Sequence, residues 1–121
     1  EYEGNINEWF DEIIGVTVLD NIPVYKIKFW VSDSSKDYVM TKPIHDSQRN
    51  LPIDEAQTLR NKYPFLDGGT FFRIDCKRNY ELIRELTSFG ENLLVIEPKE
   101  IQDEIFERIS LINNKYKKLR T

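Results

Sequence analysis

The chain has 121 residues, of which 40% are hydrophobic and 31% charged, with a formal net charge of −4 and a pI near 5.1. This length predicts one globular core and leaves too little chain for two. The single cysteine, Cys76, excludes an intramolecular disulfide framework, and no Cys/His spacing typical of zinc sites occurs. No apolar run approaches the roughly 20 residues that span a bilayer. We therefore predict a cytoplasmic protein without a metal site, whose acidity argues against binding nucleic acid by phosphate neutralisation.

The first predicted element is a short linker helix. Asn7 is a suitable N-cap, large apolar side chains recur at helical spacing within residues 9–14, and Gly15 ends the pattern. Eight residues cannot bury so much apolar surface by themselves. We therefore expect this helix to pack either on the domain that follows it or on residues outside this chain.

Alternating apolar residues then predict a strand that begins at Pro23. Tyr25, Ile27, Phe29 and Val31 share its core face. The polar residues 32–35 interrupt the pattern, residues 36–40 form a short helical turn, and Pro43 ends that turn. Residues 44–49 are predicted as a second, mostly polar strand.

The middle of the chain predicts a helix and a third strand. Pro52 and an acidic start open a helix of about two turns that closes at Tyr63, and residues 67–69 (Asp-Gly-Gly) form a turn. The strand over residues 70–77 places Phe72, Ile74 and Cys76 on its core face. Because of that position, we expect Cys76 to be a buried, inert thiol.

The last third of the chain predicts helix, strand, helix. Asn79 caps the first of these helices and Gly90 takes the left-handed position after it, and residues 93–96 form a short apolar strand. The final helix begins at Pro98. Its apolar residues recur at intervals of four, four, three, four and three residues: Ile101, Ile105, Ile109, Ile112, Tyr116 and Leu119.

This final helix is predicted to be longer than the strand beside it. It would extend about 33 Å at 1.5 Å per residue, whereas a strand of six residues spans about 20 Å. Its end should therefore overhang the sheet, which makes Ile112, Tyr116 and Leu119 the candidate interface residues. The alternative is that the linker helix, with Trp9, Phe10 and Ile13, covers the same patch within one chain.

The complete order of elements indicates an α+β fold of the ferredoxin-like, split βαβ kind. It should have a four-stranded antiparallel sheet with helices on one face. The fourth strand would lie at an edge of that sheet, where unpaired backbone groups invite another chain.

The least generic chemistry lies in residues 41–48, Thr-Lys-Pro-Ile-His-Asp-Ser-Gln. Consecutive His, Asp and Ser do not form a catalytic triad, because neighbours on an extended chain point to opposite sides. His45, Ser47 and Gln48 either contact a ligand or satisfy backbone groups at a strand edge. No catalytic constellation accompanies them, so we predict neither an enzyme nor a cofactor.

The run from Pro43 to Gln48 resembles the Pro-Ile/Leu-His-x-Ser-Gln signature in the C-terminal extension (WCX type) of WYL-domain transcriptional regulators. Four further stretches are similar to that family in the same order: residues 8–17, 79–82, 88–90 and 95–98. The tryptophan-tyrosine-leucine motif of the WYL core and the N-terminal helix-turn-helix have no counterpart here. Residues 51–69 are longer than the family's usual connection.

The resemblance implies a division at residue 20. Residues 1–20 would be the linker helix from an absent WYL core, and residues 21–121 the α/β extension domain with a helical insertion near residues 51–69. It also implies a non-enzymatic regulatory module of a bacterial regulator that contributes to effector sensing and oligomerisation. Its protein partner would be a second copy or the WYL core. Its effector would be a nucleotide, a nucleic acid or a small molecule. It would contact DNA only through the missing helix-turn-helix. No membrane partner is expected.

A ferredoxin-like nucleic-acid-binding module is the alternative. The sheet face opposite the helices would carry aromatic and basic residues, as RNA-recognition sheets do: Lys26, Lys28, Trp30, Phe71 and Arg73. Asp75 on the same face, the acidic pI and the missing glycine-rich signature argue against it.

Overall fold

The structure is a computed structural model that describes residues 22–121. Its elements are β1 (Val24–Val31), α1 (Lys36–Thr41), β2 (Arg49–Asn50), α2 (Ile53–Lys62), β3 (Thr70–Lys77), α3 (Tyr80–Ser88), β4 (Leu93–Glu97) and α4 (Lys99–Leu119). The predicted linker helix, from Asn7 to Gly15, lies outside the described residues.

The four strands form one antiparallel sheet in the order β2-β3-β1-β4. β1 and β3 pair along their whole length, from Val24 opposite Lys77 to Val31 opposite Thr70. β4 pairs only with the second half of β1 and lies at an edge. The predicted α+β fold with a four-stranded, split βαβ sheet is thereby confirmed.

The main core lies between one face of the sheet and the helices α1, α3 and α4. The alternation in β1 and β3 directs Ile27, Phe29, Phe72 and Ile74 into it, and the Phe29 and Phe72 rings stack with centroids 5.7 Å apart. The helices contribute Val39, Leu82, Ile83, Leu86 and Ile101. Each fully buried side chain of this size stabilises the fold by about 1.5 to 3 kcal/mol.

Helix α2 lies on the opposite face of the sheet. Its Leu59 packs with Trp30 of β1 and Phe71 of β3 in a second apolar cluster that also contains Leu51 and Leu66. The prediction of helices on one face therefore holds for α1, α3 and α4 and was wrong for this insertion helix. The physical reason is that Trp30 and Phe71 are neighbours on one face, and covering two such aromatic side chains removes a large apolar area from water.

The turn before β3 fastens α2 to the sheet. Trp30 Nε1 donates a hydrogen bond to Gly68 O at 3.1 Å, and the Arg60 guanidinium donates to Gly68 O at 2.7 Å and Gly69 O at 2.8 Å. Asp33 Oδ1 accepts the Gly69 N–H at 3.1 Å. Both glycines have positive φ, 67° and 71°, which explains the Asp-Gly-Gly sequence of the turn.

The second strand is much shorter than predicted. Only Arg49 and Asn50 pair with β3, opposite Arg73 and Phe72, and residues 44–48 form a turn. The predicted ends of α3 are confirmed: Asn79 Oδ1 accepts the Leu82 N–H at 2.8 Å, and Gly90 has a φ of 59°. Cys76 is buried as predicted, and burial raises the pKa of its thiol.

Candidate functional site

The turn that contains His45, which we call the His45 corner (residues 44–48), is held by the side chain of Gln48. Gln48 Oε1 accepts the Ile44 N–H at 2.8 Å, and Gln48 Nε2 donates to Val39 O at 3.1 Å. Pro43 has taken the chain out of α1 just before this point, so these backbone groups lack helical partners. The amide thus connects the corner to the end of α1.

Ser47 connects the same corner to β3. Its Oγ lies 2.8 Å from Asp75 N and 3.1 Å from Asp75 O, and also 2.8 Å from Nδ1 of the exposed His45. The Ser47 N–H donates to His45 Nδ1 at 3.1 Å. When Nδ1 accepts this bond, the proton of the neutral imidazole resides on Nε2. Ser47 and Gln48 therefore satisfy backbone groups, and a ligand-binding role for His45, Ser47 and Gln48 stays a prediction.

Beside the corner, the half of the sheet that α2 leaves uncovered is charged. Arg49 Nη2 lies 3.0 Å from Asp75 Oδ2, and Arg73 Nε lies 3.3 Å from Asp75 Oδ1. The hydrogen bond from Arg73, with the positive charges of both arginines, lowers the pKa of the Asp75 carboxyl below its usual value. Lys26, opposite Asp75 in the register, is exposed on the same face.

The aromatic surface required by the nucleic-acid alternative is not accessible. Trp30 is 7% exposed and Phe71 is 2% exposed, because α2 and the following turn lie over them. The Arg60 guanidinium covers the Phe71 ring at 4.9 Å. Bases stack on exposed rings in RNA-recognition sheets, and this face offers none at these positions.

A groove of about 280 Å³ surrounds the edge strand β4. Tyr63 and Phe65, which follow α2, form one wall with Leu94 and Ile96, and α4 forms the other wall with Ile105, Phe106 and Ile109. Sequence reasoning identified β4 as an edge but missed this groove, because its walls come from segments about 40 residues apart in the chain. The exposed Phe65 and Phe106 were the only local signals, since neither belongs to a core-facing stripe.

The backbone of β4 is partly capped. Gln102 Nε2 donates to Val95 O at 3.0 Å and to Ile96 O at 3.4 Å. An added strand would need the same carbonyl groups, so this amide makes the edge of the sheet less available for pairing with another strand. The groove consequently offers apolar side chains more readily than backbone hydrogen bonds.

Helix α4 runs back along β4 and continues past it. Gln102, near its start, reaches Val95, whereas Ile109 lines the groove together with Leu93 and Gly90 at the other end of the strand. The sequence-predicted interface residues follow Ile109 and are exposed: Ile112 at 42%, Tyr116 at 60% and Leu119 at 78%. The groove and this stripe form one continuous apolar surface, and its role as an interface stays a prediction.

Two arginines attach α4 to the start of α3. The Arg78 guanidinium donates hydrogen bonds from Nε and Nη2 to the two carboxylate oxygens of Glu104 in α4. Arg108 Nη1 donates to the Tyr80 hydroxyl oxygen at 3.3 Å, and its guanidinium lies 4.9 Å from the Tyr80 ring. The Arg108 hydrogen bond and charge lower the pKa of Tyr80. These contacts fix the direction in which α4 leaves the sheet.

Within residues 22–121 no cluster of His, Cys, Asp and Glu side chains could hold a metal ion, and no helix is long and apolar enough to cross a membrane. The strand order and interleaved helices define the class of the protein as an α+β domain with a split βαβ sheet. The WCX domain family model matches residues 23–112, and the chain belongs to this family. WCX domains are modules of WYL-domain regulators, and the family is regulatory and not a known catalytic one. No curated protein matches the chain.

Proposed function

We propose that this chain is a non-enzymatic regulatory module of a bacterial WYL-domain transcriptional regulator, which acts in the cytoplasm and contributes to oligomerisation and effector sensing. The observation that carries the proposal is the apolar surface composed of the β4 groove and the exposed stripe of α4. Contiguous exposed apolar patches mark sites of contact with proteins or ligands. Regulators that bind two half-sites need such a contact between copies.

The groove walls support contact and not catalysis. Within the described part of the chain, no carboxylate, imidazole, thiol or amine lines the groove. Its polar side chains are Tyr63, Thr87, whose hydroxyl donates to Ile83 O, and Gln102, whose amide is engaged with β4. Acid–base and nucleophilic catalysis need titratable or activated groups within hydrogen-bond reach of the reacting atoms. A wall of aliphatic and aromatic side chains instead gains free energy by excluding water.

The sensing part of the proposal is supported by a different surface. The uncovered half of the sheet carries Lys26, Arg49, Arg73 and Asp75, and the exposed His45 lies at its border. An arginine that already binds one carboxylate is held in place for a second anion. This face would therefore suit an anionic effector or an acidic surface of the WYL core.

Sedimentation equilibrium of the chain tests the oligomerisation part. We expect a dimer at tens of micromolar, and we expect Ile109→Asp to give a monomer because it puts a charge where the groove meets the stripe. Leu111→Asp is the matched control, since Leu111 is also exposed but lies about 200° around the helix from Ile109. A wild-type monomer, or equal effects of the two variants, would contradict this assignment.

A further inference from the structure

Helix α4 has a regular face that turns toward the β4 groove, which we call the groove-side face. Its residues are exposed and recur at intervals of three, four, three and four: Phe106, Ile109, Asn113, Tyr116 and Arg120. At 3.6 residues per turn they lie within about 40° of one line along the helix. The first two line the groove, and the others continue the same line beyond it. This spacing is typical of the seam between two packed helices, so the face suits a second helix beside α4.

The groove-side face is complementary to itself when two copies of α4 lie antiparallel. A two-fold axis beside Asn113 places this residue next to its own copy and Ile109 next to Tyr116 of the second copy. It also places Phe106 next to Arg120 of the second copy. Apolar groups then meet apolar groups, and a guanidinium meets an aromatic ring in a cation–π contact. The amide at the axis favours this register, because a polar residue at one seam position specifies how two helices align.

Charge selects the antiparallel direction over the parallel one. Arg120 is the charged residue of the groove-side face, and a parallel pair would place it against its own copy, which costs free energy. In the antiparallel pair each Arg120 lies about 10 Å from the two-fold axis, so the two are about 21 Å apart along the helices. Arg108 and Lys115 lie more than about 100° around α4 from this face, and Arg108 contacts Tyr80 of α3. The two faces therefore pair without bringing like charges together.

The antiparallel arrangement also fills the groove of each copy with the end of the other helix. Residues 116–120 of the second copy would lie beside residues 106–110, where α4 forms one wall of the groove. Leu119 follows the buried Ile101 by about five turns, so both project from the same side of the helix. A two-fold axis perpendicular to the sheet keeps this side toward the sheet. Leu119 would thus rest on β4 of the second copy as Ile101 rests on its own core.

The area that this arrangement covers is sufficient for a stable dimer. The large apolar side chains of the groove and of the exposed stripe are between 42% and 78% exposed: Phe65, Phe106, Ile109, Ile112, Tyr116 and Leu119. Covering them removes about 700 Å² per copy from water, and a standard interface buries about 800 Å² per partner. A second copy therefore accounts for the whole apolar surface.

We infer that two copies of this chain pair through the groove-side faces of α4, antiparallel, with the end of each α4 in the β4 groove of the other. This inference rests on the proposed function, because it names the element and the orientation of the self-association proposed there. In a two-fold pair each contact occurs twice, and Asn113 lies at the axis.

Cysteine cross-linking of the full chain tests the position of the two-fold axis. Under mild oxidation Asn113→Cys should form a disulfide-linked dimer at least about tenfold faster than Asn114→Cys, because residue 114 lies about 120° around the helix from the groove-side face. The native Cys76 is buried and should not compete. Adding Ile109→Asp to Asn113→Cys should remove the advantage, since cross-linking depends on the dimer.

Nitroxide labels test the direction of the pairing through the distances between them in electron paramagnetic resonance. Labels on Arg120→Cys should be at least about 10 Å farther apart than labels on Asn113→Cys, because antiparallel helices separate with distance from the axis. A parallel pair would give similar distances at both positions.

The possible results separate this inference from the proposed function. Sedimentation of a wild-type monomer at tens of micromolar would overturn both. A wild-type dimer in which Asn113→Cys and Asn114→Cys cross-link at equal rates, or in which the labels at Arg120→Cys are as close as those at Asn113→Cys, would overturn the antiparallel pairing while self-association stands. All these variants change exposed residues, so far-UV circular dichroism should show the same folded domain in each case.

Discussion

The hydroxyl of Ser47 takes the place of a strand neighbour for Asp75. Its Oγ accepts the Asp75 N–H at 2.8 Å and lies 3.1 Å from Asp75 O, so both main-chain groups of Asp75 meet one side chain. Arg49 pairs with Arg73, and the same register continued by two residues would put Ser47 opposite Asp75. Because a side chain fills this ladder position, β2 stops at two residues.

Ser47→Ala should lower the free energy of unfolding by about 1 to 2 kcal/mol, because the Asp75 N–H and carbonyl lose their partner in a partly buried position. Urea denaturation followed by fluorescence measures it. Ser110→Ala is the control, since Ser110 Oγ bonds Phe106 O one turn back on the exposed side of α4 and should change stability by less than about 0.5 kcal/mol. Equal effects would show that the Ser47 hydroxyl does not close the sheet.

Gln48→Ala should also lower the free energy of unfolding, by about 1 to 3 kcal/mol, because the Ile44 N–H and Val39 O both lose a hydrogen bond. Hydrogen exchange at Ile44 should become faster in this variant. His45→Ala is the comparison: His45 is exposed, so its loss should cost less than that of Gln48. A Gln48→Ala variant with wild-type stability would favour the ligand-site hypothesis instead.

Gly69→Ala should be one of the most destabilising single changes and should lower the free energy of unfolding by about 2 kcal/mol or more. The backbone has a positive φ at this position, and an added Cβ would collide with Val31 O and lie 2.5 Å from Trp30 Nε1. The thermal midpoint measures it. Gly90→Ala separates the two causes, since Gly90 has a positive φ but open space around it, and it should cost only about 1 kcal/mol. Similar losses at both sites would mean that backbone strain alone matters.

Asp75→Asn should reduce the loss of stability in acid. The lowered pKa of Asp75 in the folded protein means that its carboxylate stabilises the fold above its unfolded pKa, near 4, and that this contribution disappears as the pH falls through the lower folded value. The difference between wild type and variant should therefore be largest near neutral pH and shrink below about pH 4. Melting curves between neutral pH and acid measure it. In the control Asp46→Asn, which changes an exposed residue of the His45 corner, the stability at neutral pH should stay within about 0.5 kcal/mol of wild type.

The chain by itself should show no preference for one DNA duplex over a scrambled duplex at physiological salt. Base readout requires a helix that presents a basic, base-contacting face. In α4, Lys99 is engaged with Asp103 and Arg108 with Tyr80, and the other basic residues lie in its last turns. Gel-shift titrations measure it. Replacing Lys115, Lys117, Lys118 and Arg120 with Gln should remove any weak, salt-sensitive binding. One duplex bound selectively at about 150 mM salt would refute the prediction.

Local pattern was sufficient for most of the fold. β1 and β3 alternate along much of their length, Asn79 and Gly90 mark the ends of α3, and the spacing from Ile101 onward defines α4. The strand order follows from these elements because few topologies connect them. The face chosen by α2 was predictable in part: Phe29, Trp30 and Val31 are consecutive and apolar, as are Phe71 and Phe72, and adjacent apolar residues in a strand indicate burial on both faces.

The site was harder to predict because its chemistry depends on long-range positions. The sequence identifies His45, Ser47 and Gln48 as unusual, yet the partner of Ser47 is Asp75, 28 residues away. Likewise, Phe106 falls outside the core-facing stripe of α4, and only the position of Phe65 across β4 makes it one wall of a groove. Periodicity reports which side of an element faces the core, and it carries no information on what lies across a sheet edge.

The length of α4 has a mechanical consequence. The helix is held against the core, the β4 groove and α3 as far as Ile109, and its last residues extend beyond the sheet as a rigid arm. Ten residues separate Ile109 from Leu119, which is about 15 Å along the helix axis. A rotation of about 20° at Ile109 would move Leu119 sideways by roughly 5 Å. A small repacking in the β4 groove would thus be amplified at the tip of α4 and would displace whatever the exposed stripe binds.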